Sequence, residues 1–132
     1  MKKLFVSIPM KGRAEDEIKA SIQKMKKIAE VYVGEELELI DSYVEDNPPK
    51  DNNQAIWYLS KSLEKLSQAD VFIGIINAWR WNGCEVEYEV AKRYDLNMIT
   101  VDPHYVIANY DELTQKMDII RNKNSSNVTF ED

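Results

Sequence analysis

Asp70-Val-Phe-Ile-Gly-Ile-Ile76, then Asn77 and Ala78, then Trp79-Arg-Trp-Asn-Gly-Cys-Glu-Val-Glu-Tyr-Glu-Val-Ala91, is the stretch that decides the fold. The first run is apolar after its aspartate, as expected of a central strand covered on both faces. A loop and a glycine follow, and the spacing predicts a helix from Gly83 to Tyr94. Three glutamates alternate at its start. At about 100° per residue, Val86, Val90, Ala91 and Tyr94 gather on one arc, and Glu87 falls near its middle. Glu85 and Glu89 fall on the opposite side, with Lys92 and Arg93 beside Glu89. Glu85 and Glu89 therefore read as a solvated face, and Glu87 as aimed inward from the first turn. There the helix dipole favours an ionised carboxylate while burial opposes it. An inward carboxylate at the C-terminal end of a strand is costly unless it is used.

The pattern repeats outward in both directions. Lys3 to Ile8 is a short buried strand, stopped by Pro9-Met-Lys-Gly-Arg13. A helix follows from Ala14 to Val33, with Ile18, Ile22, Met25, Ile28 and Tyr32 as its apolar stripe and Gly34 as its cap. Leu37 to Ile40 is a second strand, running into Asp41-Ser-Tyr-Val44. Asn-Pro-Pro-Lys-Asp-Asn-Asn, residues 47–53, is loop chemistry. A helix from Gln54 to Gln68 buries Ile56, Leu59, Leu63 and Leu66. Asn97 to Val101 is the fourth strand, stopped by Asp102, Pro103 and His104. Tyr110 to Asn122 reads as a last helix with Leu113, Met117 and Ile120 inside. Residues 123–132 read as a polar, loose tail, with Val128 to Phe130 able to dock. The expectation is an α/β domain over residues 1–122, a flavodoxin- or Rossmann-like three-layer sandwich with a mostly parallel sheet in order 2-1-3-4.

Composition narrows the function. The 132 residues are 44% hydrophobic and 30% charged, ordinary for a globular domain. A net charge of −6 gives no global basic field for a nucleic acid polymer. One cysteine, Cys84, forms no internal disulfide, and no apolar run spans a membrane. Met-Lys-Lys leads straight into a strand without a signal-peptide layout, so a cytoplasmic protein is expected. A single histidine, His104, argues against the usual zinc clusters and against a Ser-His-Asp triad. No cofactor or metal is expected.

Open α/β sheets bind ligands beyond the carboxyl ends of their strands. That rule nominates Pro9, Met10, Lys11, Gly12 and Arg13 after the first strand, and Ser42 and Tyr43 after the second. After the third come Asn77, Trp79, Trp81, Asn82, Gly83 and Glu87; after the fourth come Asp102 and His104. Aromatic faces can stack a base, and Lys11, Arg13 and backbone N–H groups can hold a phosphate. Equally, Lys11 and Arg13 can be loop charges, the tryptophans can be packing, and Asp70 can simply cap its strand. Glu87 is the candidate nucleophile or base. Cys84, near a helix start with no histidine placed beside it, reads as packing.

Three motifs in order carry a family resemblance: Leu4-Phe-Val-Ser-Ile-Pro-Met-Lys-Gly12, Ala69-Asp-Val-Phe-Ile-Gly74, and Trp79 through Gly83-Cys-Glu-Val-Glu-Tyr-Glu-Val-Ala91. Over residues 3–101 the chain resembles the nucleoside 2-deoxyribosyltransferase-like superfamily, including its small bacterial and phage members. The resemblance implies cleavage or exchange of the N-glycosidic bond of a deoxynucleoside or nucleotide. In that reading Glu87 is the nucleophile, a glycosyl-enzyme forms, and a free base or water resolves it with retention. It assigns Asp70 as a second catalytic carboxylate and puts Ser7 to Arg13 at the sugar or phosphate end. Trp79, Trp81 and Asn82 fall where relatives put base-contacting or acidic groups. It also implies a homodimer or larger assembly. Two departures stand out. Phe5 occupies the place of a tyrosine that holds the nucleophile in active members, and Arg80-Trp-Asn82 lacks their acidic residue. Both weigh against efficient base exchange and leave slower hydrolysis, or a non-catalytic nucleotide-binding role in sensing or sequestration, as the alternative.

Overall fold

The computed structural model describes residues 1–10, 12–41, 47–78 and 81–116. In chain order the elements are β1 (Lys3–Ser7), α1 (Glu15–Val33), β2 (Glu38–Leu39), α2 (Gln54–Leu66), β3 (Val71–Ile75), α3 (Asn82–Arg93) and β4 (Asn97–Val101). A 3-10 turn, Pro103–Tyr105, follows, and residues 110–116 are helical. The sheet runs β2-β1-β3-β4, every pairing parallel, in the order expected from the sequence.

The sheet separates two apolar layers because strand side chains alternate. Leu4 and Val6 of β1 and Ile8 just beyond it, with Val71, Ile73 and Ile75 of β3, face α1 and its Met25 and Ala29. Phe5 and Phe72 face the other way, against Leu66 of α2 and Ala91 of α3. All five residues of β3 are buried, which explains its uninterrupted apolar run. Register places Ser7 beside Gly74 and Gly74 beside Thr100, one row across the C-terminal end of the α2/α3 face. Phe5, Phe72 and Met98 form the row beneath.

The helices begin and end for local reasons. Glu15, Asp16 and Glu17 complement the dipole at the start of α1. Gly34, at φ 83°, closes it, its N–H donating to the Glu30 carbonyl at 2.8 Å. Asn53 caps α2 by accepting the Ile56 N–H at 3.0 Å.

Three apolar assignments fail. Tyr32 is 75% exposed, and Val33, the next residue of α1, makes the last contact with the core instead. Ile56 is 64% exposed in the first turn of α2, at the margin of that helix's inward arc. Tyr94, at the C-cap of α3, is 76% exposed rather than part of its buried arc. Leu113 packs inward as expected, on the α1 side of the sheet, and Tyr110 packs there with it. Met117, Ile120 and the expected tail lie outside the described residues. Among the described residues, no helix is long and apolar enough to cross a membrane.

Candidate active site

Glu87 is buried, 8% exposed, as its place on the helical arc predicted. The helix that carries it starts one residue earlier than expected, so Glu87 is in the second turn and Glu85 is the acidic residue of the first. The dipole therefore contributes less than the sequence implied, and burial more. The Ser7 hydroxyl donates to Glu87 Oε1 at 2.7 Å, and the Ser62 hydroxyl donates to Oε2. Burial raises the carboxyl pKa above its ordinary value, and the Ser62 and Ser7 hydroxyls pull in the opposite direction. Cys84 stands one helical turn before it. Burial, then the neighbouring Glu87, pushes its thiol up to about 12, which makes it the inert packing residue expected.

The three components arrive from three elements. Ser7 is the last residue of β1 and points to the same face as Phe5. Gly74 beside it carries no side chain, and a Cβ there would lie 2.8 Å from the Phe72 ring. Phe72 in turn stacks on Phe5 at 6.1 Å and meets Tyr88 edge-on at 6.5 Å. An aromatic floor thus lies beneath the serine–glutamate pair. Ser62 comes from the middle of α2, and sequence reasoning missed it. The signal was present: Leu59, Ser62, Leu63 and Leu66 recur at three- and four-residue spacing, so a hydroxyl sits inside an apolar stripe.

Other nominated residues have different positions. Asp70 precedes β3, at the opposite end of that strand from Gly74, which pairs with the Ser7 that holds Glu87. It is exposed, and its carboxylate accepts the Lys3 N–H at 2.8 Å, tying the starts of β1 and β3 together. Its assignment as a catalytic group is corrected on that ground. The Arg13 side chain is 2% exposed, and its guanidinium is spent internally. It donates to Glu17 at 3.0 and 3.1 Å, to the Pro9 carbonyl at 2.7 Å and to Ser21 Oγ at 3.0 Å. Ser21 passes the connection on to the Val106 carbonyl at 2.8 Å. Arg13 therefore fastens the β1–α1 turn to α1, and through Ser21 to the segment after β4, rather than presenting its guanidinium to the rim. Trp81 is 6% exposed, inside the α1-side core, tilted against Tyr110 at 5.8 Å. It offers no free face to a base, and its indole N–H has no partner among the described residues.

The remaining candidates line the turn regions. Met10 packs against the core, and its carbonyl accepts the Arg13 N–H at 3.2 Å. Gly12, at φ 77°, and Asn77, at φ 60°, make the left-handed bends that follow β1 and β3. Asn82 and Gly83 are exposed at the start of α3. Lys11, Ser42, Tyr43 and Trp79 lie outside the described residues. His104 sits apart, between Asp102 at 2.9 Å and Asp111 at 3.1 Å. Among the described residues, no group of three or more His, Cys, Asp or Glu side chains could hold a metal ion.

No protein-family model, curated protein or solved structure matches this chain. What the site can do rests on its own geometry. A buried carboxylate with each oxygen accepting a hydroxyl hydrogen bond is held in one orientation. Such a group can attack an electrophilic carbon or accept a proton.

Proposed function

We propose that this protein cleaves or exchanges the N-glycosidic bond of a nucleoside or nucleoside 5′-monophosphate, with Glu87 as nucleophile. The observation that carries this reading is the burial of Glu87 at the carboxyl end of the sheet, with Ser7 and Ser62 on its two oxygens. A Glu87 oxygen attacks the anomeric carbon. The bond to the base nitrogen breaks, and the base leaves with the bonding pair and takes up a proton. Water, or a second base, then attacks the glycosyl ester from the opposite face and frees the carboxylate, giving overall retention. The serines favour the ionised form required for attack, against the burial that disfavours it.

The Phe5 departure gains a physical answer in this reading. Phe5 cannot supply a hydroxyl, but Ser7, two residues along on the same face, does. Arg13 leaves the phosphate end, so any preference for a 5′-monophosphate falls to Lys11. The single buried thiol of Cys84 suits a reducing cytoplasm.

The test is a mass-spectrometric screen against mixed nucleosides and 5′-nucleotides. Released base, together with a sugar-sized adduct on the protein, is the expected result. Ligand retention without base release from any of them would instead favour the non-catalytic nucleotide-binding role.

A further inference from the structure

We propose that Ser62 is a positioning residue: its hydroxyl, carried by α2, fixes the Glu87 oxygen that Ser7 does not hold, and so makes the set of the carboxylate depend on how α2 lies against the sheet. The proposal rests on Glu87 being the reactive group, and it deepens that reading by assigning a role to a third element.

The serines of this region separate into two kinds. Ser60 donates to the Trp57 carbonyl and Ser67 to the Glu64 carbonyl, each bonding its own chain three residues back. That is the ordinary local fate of a helical serine. Ser62 instead reaches across to Oε2 of Glu87, 25 residues away in sequence. It occupies a place in the apolar stripe where alanine or leucine would serve the helix better. The hydroxyl is thus not a by-product of a solvated face.

The geometry also divides the work. Ser7, 3% exposed, ends β1 and pairs with Gly74 of the fully buried β3. Its grip on Oε1 is as rigid as the sheet. Ser62 is half-buried on a helix whose start, Asn53, follows an exposed loop. Its grip on Oε2 is the adjustable one.

Few other groups compete for the carboxylate. From α3 the Cys84 thiol, one turn before Glu87, interacts with it and is neutral because burial pushes it up to about 12. From the β1–α1 turn, Arg13 is committed to Glu17. On α2, Lys61 pairs with Glu64 at 3.8 Å, and Lys65 donates to the Asp41 carbonyl at 2.7 Å. The two hydroxyls are therefore the hydrogen bonds the described residues give Glu87.

The experiment compares Ser62→Thr with Ser62→Val, which share a shape and differ by the hydroxyl. The infrared carboxyl band of Glu87, identified by its loss in Glu87→Gln, is titrated in each full-length protein. Ser62→Thr is expected to keep the wild-type midpoint. Ser62→Val is expected to raise it by about one pH unit, since a donor to the ionised form is lost. The acid limb of base release should move in the same direction. A role confined to packing would move both variants alike, and equal midpoints for the two overturn the proposal. A raised midpoint in Ser62→Val with no base release from wild type would uphold Ser62 as the positioning group and overturn the glycosidase reading separately.

Discussion

Glu87 decides the chemistry, and its two sequence neighbours of the same type provide the control. Glu85 is exposed and Glu89 only partly covered, while Glu87 is buried. Glu87→Gln keeps shape and hydrogen-bonding capacity but cannot form a glycosyl ester. It should abolish base release while ligand affinity stays within about tenfold, or 1.4 kcal/mol. Glu85→Gln and Glu89→Gln should turn over at near the wild-type rate. Three identical activities in one assay would remove the nucleophile assignment. Cys84 permits a separate test. With its thiol pushed up to about 12 by burial and by Glu87, Cys84 is held as the unreactive thiol at pH 8. A disulfide reagent should therefore label the native protein slowly and the urea-unfolded protein quickly. Fast labelling of the native state would show that the thiol is not sealed into the core.

Elements were easier to read than side-chain duties. Apolar spacing alone located the four strands and the three long helices, because each must bury a stripe or face against the sheet. Periodicity shows which side of an element faces inward, but not which neighbour a polar side chain will find. Following strand ends points Arg13 and Trp81 to the rim, yet Arg13 turns back onto Glu17 and Trp81 into the core. The family resemblance points to Asp70, but its position before β3 puts it at the opposite end of the strand from Glu87's partner Ser7. Ser62 and Ser21 were legible in principle, as hydroxyls inside the stripes of α2 and α1. The same contrast predicts the effect of Arg13→Ala. Losing the guanidinium's charge-assisted bonds should lower unfolding free energy by about 2 kcal/mol in urea titrations. It should leave the ratio of nucleotide to nucleoside affinity unchanged. A selective loss of nucleotide binding, without loss of stability, would return Arg13 to the phosphate end.

For the molecule as a whole, the price of the site is set by pH. Ile56, Tyr58, Tyr94 and Tyr105 are exposed apolar side chains, and self-association to at least a dimer is expected by light scattering at micromolar concentration. A monomer there would count against that assembly. Stability gives a sharper test. Glu87's carboxyl has its pKa raised from 4.5 by burial, so the native state binds this proton more tightly than the unfolded chain does. The resulting contribution is fully present below 4.5 and is lost as pH rises through the raised value. His104 acts in the same direction: raised from 6.5 by its bonds to Asp102 and Asp111, its contribution is present below 6.5 and lost above its raised value. Asp102 acts oppositely. It is lowered from 3.8 by the His104 backbone and ring, so its contribution is present above 3.8 and lost as pH falls through the lowered value. Comparing Glu87→Gln with wild type cancels the last two, which both proteins share. At pH 7 the variant should melt higher, because it removes a buried charge that folding must desolvate. The gap should narrow as pH falls through the raised value, where the wild-type carboxyl takes up its proton. A variant that melts lower at pH 7 would mean that the Ser7 and Ser62 bonds outweigh burial, and that the carboxylate is held in place at no net cost to the fold.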